Sequence, residues 1–254
     1  MNKNKNLKVF DDYSNYYDLL YKDKDYLGEA SYINNLLKKF SLIKCNILEF
    51  GSGTGGHASV LTQKFGHNIL GVDFSEKMVS MATNNETFNS VVGDMRYYDA
   101  NKKFDCVLAL FHVVSYLPTS RDIDLFFKNA NKHLNRGGKL IFDTWYTPCV
   151  RFIGPTNTIK KMENSVCEII RFGEPRTIKS NNQVEVNFTT FVRNKPDSSW
   201  NKLYETHLMR HFDDKDIEIM SKKNGFKLIA SEEFLSGKKA SKKTWGVCYV
   251  LEKE

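Results

Sequence analysis

A chain of 254 residues with 41% hydrophobic and 13% aromatic side chains is long enough for one large domain, or one domain carrying an insertion. It is too apolar to be disordered. The net charge of +7 comes from lysines spread along the whole chain, without the dense basic run that marks a nucleic-acid arm.

The five cysteines (Cys45, Cys106, Cys149, Cys167, Cys248) are odd in number and never spaced C-x-x-C. They argue against a disulfide framework or zinc site and fit reduced thiols in a cytoplasmic protein. Met1–Leu7 lacks the apolar region of a secretory signal. The longest apolar stretch, Cys106–Leu117, is broken by His112 and Ser115 and falls short of the ~20 residues of a membrane helix. No membrane or nucleic-acid partner and no metal are expected.

In chain order, Val9–Tyr26 is rich in tyrosine, and helical spacing continues through Leu27, Ala30, Ile33, Leu36, Leu37 and Phe40. One or two helices ahead of the first strand follow from that period. Two readings of Tyr17 and Tyr21 stay open: amphipathic packing, or a lid whose rings cover a bound cation.

The stretch Asn46–His57 organises the rest. Ile47, Leu48 and Phe50 suit a buried parallel strand. Gly51, Gly53 and Gly55 permit a sharp turn and close backbone approach before a helix resumes over Ala58–Phe65. The spacing Gly51-x-Gly53-x-x-Gly56 also satisfies the dinucleotide fingerprint. Glu49 shifts the balance, because a carboxylate two residues before the first glycine repels a pyrophosphate. S-adenosylmethionine carries an ammonium and a sulfonium, which that carboxylate favours, and a carboxylate that suits the loop amides.

Asn68–Val72 predicts a second strand ending in Asp73, 22 positions after Gly51 and placed to accept ribose hydroxyls in either type of cofactor. A helix over Ser75–Ala82 and a third strand over Asn89–Val92 lead to Gly93-Asp94-Met95-Arg96. The fourth strand, Phe104–Leu110, runs into Phe111–Leu117; a helix over Arg121–Leu134 is closed by Gly137-Gly138. A fifth strand over Lys139–Phe142 delivers Asp143 and Trp145 to the edge where open α/β sheets bind ligands. Asp143 is a candidate general base or amine-orienting carboxylate, with a structural cap as the competing reading; His112 is a second candidate base. Val166–Phe172, Arg176–Ser180, Val184–Arg193 and Leu203–Phe212 read as strands of a small inserted antiparallel sheet. A helix over Asp213–Lys223 and strands over Phe226–Ser231 and Thr244–Leu251 close the chain.

The run Glu49-x-Gly51-x-Gly53-x-Gly55, Asp73, Gly93-Asp94-Met95 and the order of elements resemble the class I S-adenosylmethionine-dependent methyltransferases. The resemblance implies a Rossmann-like seven-stranded α/β sheet with a reversed final hairpin. It implies that Asp94 faces the adenine amino group and Met95 covers the ring. Tyr13, Tyr21, Phe74 and Leu110 complete the expected cofactor set, and Tyr17 joins His112 and Asp143 as a candidate catalytic residue. Expected domains are an N-terminal helical lid (1–44), a cofactor core (45–147), an antiparallel insertion that walls the acceptor or forms a homodimer (148–206), and a closing segment (207–254). The segment after strand four lacks the Pro-Pro-aromatic motif of base N-methyltransferases and the Pro-Cys pair of cytosine-C5 enzymes, so a nucleic-acid base is not expected as substrate.

The N-terminal Tyr-Tyr-Asp-Leu-Leu-Tyr, the Gly-Thr-Gly-Gly-His loop, Gly-Asp-Met-Arg and Ser-Tyr-Leu resemble the nucleotide-linked aminosugar N-methyltransferases more narrowly. Those enzymes have a Pro-Trp-Trp-like turn after strand five where this chain has Asp143-Thr144-Trp145-Tyr146. The expected substrate is a small, polar, anionic acceptor in surface-glycan or capsule biosynthesis, either a nucleotide-linked amino sugar or a phosphoramidate-type precursor. The alternatives are an NAD(P)-dependent oxidoreductase and a non-catalytic cofactor-binding module.

Overall fold

The computed structural model describes residues 14–254, and Tyr13 lies outside them. Two compact units emerge from its contacts: residues 14–24 with Gly154–Arg210, and Asp25–Ile153 with His211–Glu254. The division differs from the sequence expectation at the N-terminus. Helix α1 (Ser14–Leu20) goes with the inserted strands, whereas α2 (Tyr26–Lys39) goes with the large sheet.

The larger unit is a seven-stranded sheet. Its strands are β1 (Asn46–Phe50), β2 (Asn68–Asp73), β3 (Phe88–Val92), β4 (Phe104–Ala109), β5 (Leu134–Trp145), β10 (Phe226–Glu233) and β11 (Gly246–Lys253). Their order is β10-β11-β5-β4-β1-β2-β3. β1 pairs in parallel with β2 and with β4, and β11 runs antiparallel to β5 and β10. The direction of winding reverses between β1 and β4, and the crevice above such a reversal is where open α/β sheets hold ligands.

Both faces of the sheet are covered, so its central strands are almost continuously buried. The two-residue period sorts them into two layers. Leu48, Phe50, Val107, Ala109, Leu140, Phe142, Val247 and Tyr249 join α5 (Ser120–His133) and α7 (Asp214–Lys223) in one layer. Ile47, Cys106, Leu108, Leu110, Ile141, Cys248 and Val250 join α2 and α3 (Gly56–Phe65) in the other. By the same alternation Glu49 and Asp143 belong to the α2/α3 face. All five cysteines are free and buried.

Two boundaries depart from the sequence reading. Helix α5 ends at His133 and β5 starts directly at Leu134, so Gly137-Gly138 lies inside the strand and does not close the helix. Register between β4 and β5 slips there, from Phe104↔Leu134 to Cys106↔Lys139, with Gly137 at φ 75°. The pair forms a bulge, which glycine accommodates as readily as a helix end. A helix at Thr147–Phe152 (α6), with Pro148 in its first turn, was also not expected.

In the smaller unit, β6 (Thr158–Glu163), β7 (Cys167–Ile178), β8 (Gln183–Asn194) and β9 (Trp200–Arg210) form an antiparallel sheet in chain order. The expected strands 166–172 and 176–180 are one strand. Pro175 sits within it, opposite Val186 of β8 and beyond the last β6 pair at Gly173, so its missing N–H faces no ladder. The exposed strand β6 was not expected at all; its paired lysines hide the alternation. Leu20 packs on Cys167, Ile169 and Val192 beside the half-buried rings of Tyr17 and Tyr21. His207 is buried, 3.2 Å from Glu205 and edge-on to Phe188.

Phe126 is fully buried against Phe50, Phe127 and Phe142 under the β1 turn. Phe126→Ala is expected to lower the unfolding free energy of the protein by about 3–5 kcal/mol in a urea titration.

Candidate functional site

The turn after β1 is held open by glycine and closed by its own amides. Gly51, Gly53 and Gly55 all have positive φ. A Cβ on Gly51 would stand 2.5 Å from the Val113 side chain, and one on Gly55 2.6 Å from the Phe88 ring. At Gly53 a Cβ would meet nothing within 4 Å, so the loop faces open space there. Gly51 and Ser52 N–H donate to the Val72 carbonyl, Gly55 N–H to Ser52 O, and Gly53 N–H to Asp73 Oδ2 at 2.8 Å. Those four amides, expected to receive a ligand carboxylate, are therefore committed within the protein. They are equally committed against a pyrophosphate.

Asp73 ends β2 and also accepts from Ser75 N–H at 2.9 Å. Burial pushes its carboxyl above the usual range, and backbone N–H bonds from Ser75, Gly53 and Phe74 only partly oppose that. Ser75 caps α4 (Glu76–Met81), leaving Asp73 to tie the glycine turn to β2. The ring of Phe74 beside it is half exposed.

Glu49 is 1% exposed, and its Oε2 accepts no hydrogen bond from the described residues. Its Oε1 lies 3.9 Å from His57 Nδ1. The opposite ring nitrogen, Nε2, is 2.7 Å from Glu29 of α2, and the Tyr26 ring packs edge-on to the imidazole. Burial raises the Glu49 carboxyl to about 7, the His57 charge lowers it and Asp73 raises it further. Glu29 was not anticipated: nothing in its local sequence marks it, because its partner is 28 residues away on another helix.

A second carboxylate–imidazole pair stands at the ends of β4 and β5. Phe111 and His112 both adopt left-handed backbone conformations, φ 65° and 61°. That turn brings His112 N–H to 3.2 Å and His112 Nδ1 to 2.7 Å from Asp143 Oδ2. Asp143 is fully buried in register with Cys248. Burial alone disfavours its charge, but the His112 charge and hydrogen bonding outweigh this and hold the carboxyl below the usual range. Trp145 packs edge-on to the His112 ring and against Trp245.

Asp94 is gripped by its neighbour: Arg96 donates to it from its backbone N–H, Nε and a terminal nitrogen, and reaches Asp122 with the other. Met95 is half-buried on the α5 layer and Leu110 is buried on the α2/α3 layer. Tyr17 and Tyr21 pack against each other at a tilt of 46°, centroids 4.7 Å apart, in the smaller unit, where Tyr21 also meets Arg171 and Lys160.

Glu49 ties stability to pH. Folded, its carboxyl holds a proton more tightly than the unfolded chain does at about 4.3. The stabilisation is therefore fully present below about pH 4 and is lost as pH rises through about 7. Between about pH 5 and pH 8, Glu49→Gln is expected to gain about 1–3 kcal/mol of unfolding free energy relative to the parent, read from urea titrations at both ends.

Residues 47–138 match a family model described as a methyltransferase domain. A dTDP-3-amino-3,4,6-trideoxy-alpha-D-glucopyranose N,N-dimethyltransferase from Streptomyces venezuelae is 32% identical over 142 residues, 54% of this chain and 59% of that one. A dTDP-3-amino-3,6-dideoxy-alpha-D-glucopyranose N,N-dimethyltransferase from Streptomyces fradiae is 28% identical over 52% of each chain. The chain thus spans under two thirds of the length of these curated relatives. Among solved structures, an S-adenosylmethionine-dependent methyltransferase from Clostridium acetobutylicum superposes with a TM-score of 0.78 at 23% identity, over 94% of this chain and 96% of the other. Streptomyces venezuelae DesVI gives 0.77 at 23% identity, over 95% and 98%. Residues 47–138 thus match the model of a methyltransferase domain, and the chain shares its fold with the S-adenosylmethionine-dependent methyltransferase from Clostridium acetobutylicum.

Proposed function

We propose that the protein transfers a methyl group from S-adenosylmethionine to the amine of a nucleotide-linked amino sugar. The observation that carries the cofactor assignment is Glu49 Oε2, buried and lacking a donor at the end of β1, above a turn whose amides are already bonded. A ligand ammonium supplies the donor that this oxygen lacks, and a diphosphate would meet a carboxylate and no available amide among Gly51, Ser52, Gly53 and Gly55. The acceptor class rests on the two aminosugar dimethyltransferases that the chain resembles over half its length. A surface-glycan or capsule setting belongs to the same proposal.

S-adenosylmethionine, when bound, supplies a methyl group already activated on a sulfonium. Glu49 would face its ammonium, Asp73 would accept from its ribose hydroxyls, and Asp94, oriented by Arg96, would accept from its adenine amino group beside Met95 and Phe74. Asp143 holds His112 through its backbone N–H and Nδ1, which leaves Nε2 as the nitrogen that takes the proton shed by the methylated amine. Holding the amine in line with the methyl contributes most of the rate, since positioned reactants ~3–3.5 Å apart need little further activation.

In calorimetry, S-adenosylhomocysteine is expected to bind and NAD(H) to give no heat; the reverse result would establish an oxidoreductase. Incubation of a nucleotide-sugar panel with labelled methyl donor is expected to add one or two methyl masses to an amino sugar. Binding without transfer to any acceptor would leave a non-catalytic module. His112→Asn is expected to lower kcat about a hundredfold while S-adenosylhomocysteine affinity stays within about twofold.

A further inference from the structure

Helix α2 clamps the start of α3 at two points one helical turn apart. Tyr26 lies against the first residue of α3 so closely that a Cβ on Gly56 would be 2.4 Å from its ring, and it packs edge-on to His57. Glu29 meets His57 Nε2 at 2.7 Å. The imidazole is thereby fixed with Nδ1 toward Glu49, at 3.9 Å. Nothing in the methyl-transfer mechanism above uses Glu29 or His57. Both are nearly buried, with side-chain exposures of 12% and 8%.

Resting on the cofactor reading, we propose that Glu29 is a positioning residue that, through His57, sets the proton occupancy of Glu49, so that cofactor uptake expels a proton from the site. The charges facing Glu49 are few. His57 of α3 favours its ionised form and Asp73 of β2 opposes it. Glu29 of α2 reaches it only through the His57 ring. Asp143 of β5 senses the His57 charge and is itself paired with His112 from the loop after β4.

Without a ligand, the buried carboxyl has no donor on Oε2 among the described residues and its proton is retained up to about neutral pH. An ammonium at that oxygen favours the carboxylate; the O–H bond breaks, the proton leaves to solvent, and the ammonium–carboxylate pair remains. Loss of the Glu29 anchor frees the imidazole to turn, and Glu49 loses the His57 charge, its one favourable charge among the described residues. The sign follows: cofactor affinity rises with pH until Glu49 is ionised, and without Glu29 that rise moves to higher pH.

The test is calorimetry of S-adenosylhomocysteine binding between about pH 6 and pH 8.5 in buffers of different ionisation heat, on the parent protein, Glu29→Gln and Glu49→Gln. The parent is expected to release about half a proton at pH 7, and Glu49→Gln to bind more weakly and release none beyond the ligand's own titration. Glu29→Gln is expected to lose about fivefold in affinity at pH 7 and to return within about twofold of the parent at pH 8.5. An equal loss at every pH would mark Glu29 as merely structural and overturn the proposal. So would parent binding with no more proton release than Glu49→Gln, a result that leaves the cofactor reading intact. Absence of S-adenosylhomocysteine binding by the folded parent at every pH overturns both. The parent's proton release stands as evidence whether or not either variant folds.

Discussion

A carboxylate buried at the end of β1, with no hydrogen-bond donor to one oxygen among the described residues, is the constraint around which this protein is arranged. Burial of an ionisable group lacking a partner costs free energy in the folded state, and a chain keeps such a group where something else uses it. Everything near Glu49 limits that cost without removing it. His57 offers a charge at 3.9 Å, too far for a hydrogen bond, and the glycine turn spends its amides on Val72, Ser52 and Asp73.

The sheet explains why two carboxylate–imidazole pairs share one face. Side chains alternate along each strand, so the residues that reach the α2/α3 layer from adjacent strands fall in step. Glu49 of β1 and Asp143 of β5 sit on that face at the carboxyl ends, and each is met by a histidine from the element that follows a turn: His57 after β1 and His112 after β4. Both turns need left-handed backbone. Glycine supplies it after β1, while Phe111 and His112 adopt it after β4 at a local cost that the Asp143 contacts offset. The two pairs differ in outcome. Asp143 has a close partner and is held ionised; Glu49 has a distant one and keeps its proton up to about neutral pH.

Much of this was legible in the chain. Short apolar runs gave the five parallel strands, and the glycines after the first gave the turn that follows it. Errors fell where a residue type has two uses. Gly137-Gly138 served as a strand bulge where a helix cap was read, and Pro175 sat in a strand past the end of its neighbour where a break was read. Asp94 illustrates a different limit: its residue type suggested an adenine contact, and only the folded loop revealed that Arg96 grips it.

The sequence by itself determined the succession of strands and helices and the identity of the carboxylates that end the strands, because these follow from local period, glycine placement and residue chemistry; the seven-stranded sheet was implied by the family resemblance. Only the tertiary structure decided what state those carboxylates are in. Glu29 meets His57 across 28 residues and His112 meets Asp143 across 31, and no local pattern encodes such pairings. Charge state depends on burial and on the distance to the nearest opposite charge, and both quantities exist only once the layers have packed.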